Sequence, residues 1–128
     1  MKASNLPLVL IVDDNDRNRK LARDVLGAAG FRTLEATTAR EAIALAVEHL
    51  PDVILLDLRL PDVDGTEAVR MLAAEPRTSG IPVVAVSAMR IDAREGWLSD
   101  AGFVGYIQKP IDADQLPDLV LRFADPPA

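Results

Sequence analysis

The sequence predicts an α/β domain in which a parallel five-stranded sheet carries helices on both faces. Four short runs rich in β-branched residues, Leu8–Val12, Val53–Leu56, Pro82–Val86 and Val104–Ile107, are continuously apolar rather than alternating. Such runs mark strands buried on both faces. A fifth, weaker run is Phe31–Ala36. Segments with helical periodicity separate the runs, and regular alternation of strand and helix implies parallel strands joined by crossover helices.

The elements follow in order. After the first run, Leu21, Ala22, Val25, Leu26 and Ala29 form one apolar helical stripe, with Gly30 placed to stop it. Beyond the weak second strand, Thr38-Ala39-Arg40-Glu41 is a capping box for a helix carrying Ala42, Leu45 and Ala46, with His49 near its end. His49 reads as a surface or partly buried residue rather than a phosphate carrier. After the third strand, Asp64-Gly65-Thr66-Glu67 repeats the capping signal for a helix through Met71 and Leu72. The fourth helix, expected from Ile91 to Ala101, is the weakest, because Gly96 interrupts it and its apolar stripe is sparse; Gly102 is placed to end it. Trp97 on this helix is a core filler or part of a partner surface, with the core reading favoured. The last stripe is Leu116, Leu119, Val120 and Phe123. An N-cap at Asp112 would put Pro117 just past the first turn, where it removes a ladder bond. A start nearer Asp114 avoids this, and the sequence leaves both open. The closing Asp125-Pro126-Pro127-Ala128 reads as a tail or the stub of a linker.

Composition narrows the function classes. A chain of 128 residues is one domain of ordinary size, here 1–128 with a core at about 8–123. The absence of cysteine excludes a disulfide scaffold, a zinc site and a thiol nucleophile. No apolar run approaches the roughly 20 residues of a membrane helix, and the N-terminus has no secretory h-region. The excess of 20 acidic over 14 basic residues, net −6, argues against nucleic acid as a partner. The expectation is a soluble, acidic, cytoplasmic domain without a membrane partner.

Chemistry is expected where the strands end, because open parallel sheets bind ligands outside their carboxyl edge. The first run ends in Asp13-Asp14, the third in Asp57, the fourth in Ser87 and the fifth leads to Lys109. Any one of these could be an ordinary turn or N-cap residue. Together on one edge they are harder to dismiss. Lysine is also scarce, with only Lys2, Lys20 and Lys109 against eleven arginines. A compact ammonium at a strand end suggests a point-charge role. Three carboxylates brought together repel unless a cation joins them, and an oxygen-only donor set suits a hard ion such as Mg²⁺. A carboxylate beside such an ion, faced by a lysine and a hydroxyl, meets the needs of phosphoryl transfer, with Asp57 as nucleophile.

The segments Val12-Asp13-Asp14-Asn15, Leu56-Asp57-Leu58-Arg59-Leu60-Pro61-Asp62-Val63-Asp64-Gly65, Ser87-Ala88 and Tyr106-Ile107-Gln108-Lys109-Pro110 resemble the receiver domain of bacterial two-component response regulators. The resemblance runs from about Leu8 to Phe123. It implies a flavodoxin-like, doubly wound sheet of order 2-1-3-4-5, with the acids at its switch point. It further implies that Asp57 is the phosphoacceptor of a sensor histidine kinase or histidine phosphotransfer protein. Asp14, Asp57 and the backbone carbonyl of Arg59 would bind Mg²⁺, with Asp13 acting through water. Lys109 would pair with Asp57 and then with the phosphoryl group, and its bond to Pro110 would be cis. Ala88 would leave the phosphoryl group accessible. Ser87 and Tyr106 would form the switch, coupling the site to a protein-binding face made by the fourth helix, fifth strand and fifth helix. Arg59 and Met89 occupy flanking positions that in the family affect loss of the phosphoryl group; Arg59 could equally be a solvated arginine.

The expected protein is a response regulator acting as a single domain through other proteins, or alternatively a receiver cut from a longer regulator. It would be no enzyme toward outside substrates, catalysing only its own phosphorylation and dephosphorylation. A haloacid-dehalogenase-like phosphatase would carry a second Asp where Arg59 stands. A flavin module would place phosphate against Asp13 and Asp14, which repel it. A pseudo-receiver would lack part of the acidic set or Lys109.

Overall fold

A computed structural model describes residues 6–89 and 96–124. Its elements, in chain order, are β1 (Leu8–Val12), α1 (Asp16–Ala28), β2 (Arg32–Ala36), α2 (Ala39–His49), β3 (Val53–Asp57), α3 (Gly65–Ala74), β4 (Val83–Ser87), α4 (Trp97–Ala101), β5 (Gly105–Gln108) and α5 (Leu116–Ala124). All strand pairs are parallel, and the sheet order is β2-β1-β3-β4-β5. The alternation of elements, the sheet order and the helix-covered faces are those expected.

The continuous apolar runs divide by the twofold period of a strand into two cores. Leu10, Val12, Ile54, Leu56, Val83 and Ala85 pack with α2, α3 and α4. Val9, Ile11, Val53, Leu55, Val84 and Val86 pack with α1 and α5. Each central strand therefore needs apolar residues at both parities. On α2 the buried residues are Ala39, Ala42 and Ala46, small side chains that let the helix lie close to the sheet.

Several local expectations shift. Leu21 and Ala29 are exposed, and the buried stripe of α1 is Ala22 and Leu26, with Val25 partly covered. The fourth and fifth strands each begin one residue later than their apolar runs, leaving Val104 53% exposed. Only the second half of the expected fourth helix lies within the described residues; there Gly96, in the left-handed region at φ 78°, precedes the first turn. Trp97 is half-buried against the core beneath α2–α4, and His49 is exposed. Helix α5 starts at Leu116, so Pro117 falls in its first turn, where its missing N–H removes no ladder bond. The Asp125–Ala128 tail lies outside the described residues.

Two helix starts anchor the loops around the strand ends. The Asn15 side chain caps α1 by accepting from the Asn18 N–H at 3.0 Å. At α2, Thr38 Oγ1 accepts from Glu41 N–H, while Thr37 N–H donates to Glu41 Oε1, so the box closes one residue further back than usual. The two remaining donors of α2 go to a residue far along the chain. Asp62, in the loop after β3, accepts from Ala39 N–H at 2.9 Å and Arg40 N–H at 3.0 Å.

The Asp62 bonds make a test of the loop. Desolvation alone would raise the pKa of this exposed carboxyl, but backbone N–H groups, those of Ala39 and Arg40 foremost, outweigh it and leave the carboxyl below its ordinary value. A depressed folded-state pKa gives stability that is present above the unfolded carboxylate pKa and lost as pH falls through the depressed value. Asp62→Ala is therefore expected to melt lower than the parent at neutral pH, with the gap closing in acid. Equal thermal melts at neutral pH would show that the two caps carry no weight.

Candidate functional site

Sheet register assembles the site. Val12 pairs with Leu56, Asp57 with Val86 and Ser87 with Gln108, so the chain leaves β1, β3, β4 and β5 along one edge. Backbone bonds continue past the strand ends: Asp13 N–H donates to the Ala36 carbonyl at 3.1 Å, Leu58 N–H to Val86 at 3.0 Å and Lys109 N–H to Ser87 at 2.8 Å. These bonds continue the sheet ladder one residue past the ends of β1, β3 and β5. The edge opens into a cleft of about 420 Å³ lined by Asp13, Asp14, Asp57, Arg59, Ser87 and Lys109, among others.

Asp13 and Asp57 are each 5% exposed and Ser87 3%, whereas Asp14 is exposed at the mouth. Lys109 Nζ lies 2.9 Å from Asp13 Oδ2 and 3.0 Å from Asp57 Oδ2. The other carboxylate oxygens accept from their own loops: Asp57 Oδ1 from Arg59 N–H at 2.9 Å, and Asp13 Oδ1 from Asn15 N–H at 2.8 Å. One ammonium thus serves two buried carboxylates. Burial disfavours the Lys109 ammonium, yet the hydrogen bonds and charges of Asp13 and Asp57 outweigh it and leave its pKa raised. For Asp57, burial also dominates; the Arg59 N–H and Lys109 pull the pKa back and the Asp13 charge pushes it up, and the net direction is upward. The two directions have different origins: burial raises Asp57, and two acidic partners raise Lys109. In contact terms, two buried carboxylates share a single ammonium.

That imbalance is what a hard cation would correct. Asp13, Asp14 and Asp57 each offer a carboxylate oxygen, all within 4.8 Å of one another. Oxygen donors alone, without histidine or cysteine, fit Mg²⁺ better than a softer metal.

The other expected residues stand around this centre. Ser87 Oγ accepts from Met89 N–H at 3.0 Å, and a hydroxyl in that state still has its proton to donate. The Tyr106 hydroxyl donates to the carbonyls of Ser87, at 3.1 Å, and Met89. The Lys109–Pro110 peptide bond is cis. Ala88 and Met89 are exposed at the rim. The sequence reading did not single out Asn18, which lines the cleft from the first turn of α1. Its signal was the spacing of three from Asn15, the residue that caps α1, which puts it on the same side of the turn.

Comparison with known proteins shows the family and the fold. Residues 9–121 match the family model described as response regulator receiver domain. The chain is 38% identical over 115 residues to the polar-differentiation response regulator DivK of Brucella ovis, covering 90% of this chain and 94% of that protein. The chemotaxis response regulator CheY4 of Vibrio cholerae superposes with a TM-score of 0.86 at 25% identity, covering 93% of this chain and 99% of that one. The receiver domain of the sensor histidine kinase PA1611 from Pseudomonas aeruginosa superposes with a TM-score of 0.82 at 27% identity, covering 92% and 97%. That structure carries a magnesium ion coordinated in its active-site cleft.

Proposed function

The chain belongs to the response regulator receiver family, the phosphoacceptors of two-component signalling, and on that premise we propose that Asp57 is the residue that takes the phosphoryl group. The observation that carries this reading is the shared ammonium: Lys109 Nζ within 3.0 Å of the buried Asp57 carboxylate at the base of an acid-lined cleft. The donor is a phosphohistidine on a sensor kinase or a phosphotransfer protein. An Asp57 oxygen forms the new O–P bond as the P–N bond breaks. The electron pair goes to the ring nitrogen, and a histidine protonated on its other nitrogen leaves as neutral imidazole.

Lys109 holds the carboxylate in place beforehand and then turns its charge to the phosphoryl oxygens, while the Ser87 hydroxyl donates to another of them. Arg59 N–H keeps the second carboxylate oxygen oriented. A Mg²⁺ ion held by Asp14, Asp57 and the Arg59 carbonyl, with Asp13 reaching it through water, would supply charge neutralisation for the transferred group. The chain acts on no outside substrate; it catalyses only its own phosphorylation and dephosphorylation.

The output is a change in a protein-binding face formed by α4, β5 and α5. Tyr106 on β5 links that face to the site, because its hydroxyl binds the carbonyls of Ser87 and Met89. When Ser87 turns its hydroxyl proton to the phosphoryl group, the segment that Tyr106 holds is drawn with it. Helices of the described residues are too short to cross a membrane, and the net charge of −6 argues against nucleic acid as a partner of this domain.

Incubation with acetyl phosphate and Mg²⁺, followed by intact-mass measurement, is expected to add one phosphoryl mass. The gain should disappear when EDTA replaces the metal. A wild-type chain that gains no mass with Mg²⁺ present would overturn the reading.

A further inference from the structure

We propose that Arg19 is a positioning residue for the acidic pair, holding the Asp13–Asp14 peptide so that Asp14 faces the metal site. The inference rests on the reading of Asp14 and Asp57 as metal-holding carboxylates. It starts from a side chain on α1 that the phosphoryl chemistry leaves unused. Arg19 Nη1 donates to the backbone carbonyl of Asp13 at 2.9 Å, Nη2 to Asp16 Oδ1 at 2.5 Å and Nε to Glu35 Oε1 at 3.3 Å. The side chain is only 15% exposed. Glu35 on β2 is itself held by Arg23 at 3.1 Å, so the guanidinium is braced from the sheet.

The carbonyl it grips belongs to the peptide joining Asp13 to Asp14. A peptide unit is planar, so fixing the Asp13 oxygen fixes the direction in which the chain enters Asp14. The N–H of Asp13 is already fixed by its bond to the Ala36 carbonyl, and the Asp13 carboxylate, accepting from Asn15 N–H, closes a local turn across Asp14. Asp14 is exposed, and the Arg19 bond to the preceding carbonyl is the constraint on its backbone that comes from another element. The planar fork of arginine meets three acceptors at once, which a lysine ammonium at the same place cannot reproduce.

Charge and positioning predict opposite signs. Removing Arg19 takes a cation from the neighbourhood of the acids and leaves Asp16 and Glu35 without it, so charge alone would tighten Mg²⁺ binding. Loss of positioning weakens it, and supporting residues around metal ligands typically matter by about tenfold or more. The experiment is calorimetric titration of the folded chain with Mg²⁺ for the wild type, Arg19→Gln, Arg19→Lys and Glu35→Gln, with thermal melts in EDTA to confirm folding. Expected is about tenfold weaker binding for Arg19→Gln, a smaller weakening for Arg19→Lys, and wild-type affinity for Glu35→Gln, which leaves the Asp13 carbonyl bond in place. If Arg19→Gln does not fold, the Arg19→Lys result alone decides. Mg²⁺ binding that is unchanged or tighter without Arg19, or equally weak in Glu35→Gln, overturns the positioning role while leaving the phosphoacceptor reading intact. A wild type that does not bind Mg²⁺ overturns both.

Discussion

Asp57→Asn is expected to lose all phosphoryl labelling and, in metal-free buffer at neutral pH, to melt higher than the parent. The first effect follows from the amide, which has no anionic oxygen to attack phosphorus. The second follows from the environment of the carboxylate. Asp57 is 5% exposed, and the neighbouring Asp13 competes for the same ammonium. Burial raises its pKa, and that outweighs what the Arg59 N–H and Lys109 recover.

A raised folded-state pKa means the native state holds the proton more tightly than the unfolded chain does. The associated stability is complete below the unfolded carboxylate pKa and is lost as pH rises through the raised value. At neutral pH the ionised Asp57 is therefore a cost to the fold. Asparagine removes the charge, can still accept from Arg59 N–H through its oxygen, and leaves Lys109 paired with Asp13. The gain should appear as a melting temperature above the parent's at neutral pH. Lowering the pH toward the carboxylate range should shrink the difference, since the parent then protonates too. A variant that melts lower than the parent at neutral pH would show that the Lys109–Asp57 attraction exceeds the burial cost.

What the sequence made legible was whatever depends on residue order along one element. Continuous apolar runs such as Val53–Leu56 gave the central strands, because a strand covered on both faces has no polar parity. The residues at strand ends gave Asp13, Asp14, Asp57, Ser87 and Lys109, because parallel strands in register carry their ends to one edge. What was not legible depends on contacts between elements. Leu21 fits a helical stripe as well as Leu26 does, and only the placement of α1 against the sheet leaves it outside. Val104 continues an apolar run, yet β5 begins at Gly105, where the Phe123 ring of α5 lies against the strand backbone. Asp62 sits inside a loop rich in Asp and Pro and gives no sign that its partners are the first N–H groups of α2, 22 and 23 residues away. Arg19 looks like any helix-surface arginine until the turn before α1 folds its Asp13 carbonyl back within reach. Periodicity reports which side of an element is buried; it carries no information on what a polar side chain meets across a loop.

The same limit gives a second large effect, in which one substitution type has opposite signs at two glycines. By helix propensity alone, alanine is better than glycine by about 1 kcal/mol, so Gly65→Ala at the start of α3 and Gly27→Ala near the end of α1 would both stabilise. At Gly27 a Cβ would meet nothing within 4 Å, and the propensity gain should appear in full, about 0.5–1 kcal/mol. At Gly65 a Cβ would lie 2.6 Å from the Leu58 Cα and 3.1 Å from the Asp57 carbonyl oxygen. Those are backbone atoms of the segment that carries the proposed phosphoacceptor and Arg59, and Gly65 N–H also donates to the Leu58 carbonyl at 3.0 Å. No rotamer can relieve the overlap. Either α3 backs away, breaking that bond, or the Asp57–Arg59 segment shifts and carries Asp57 away from Lys109. The overpacking cost, about 1–3 kcal/mol or more, exceeds the propensity gain. Gly65→Ala should therefore melt lower than the parent and accept phosphate more slowly from acetyl phosphate, while Gly27→Ala melts higher and is phosphorylated at the parent rate. Melts and labelling time courses of the two variants side by side provide the check. If Gly65→Ala proves as stable and as fast as Gly27→Ala, close contact between α3 and the loop after β3 does not hold Asp57 in place.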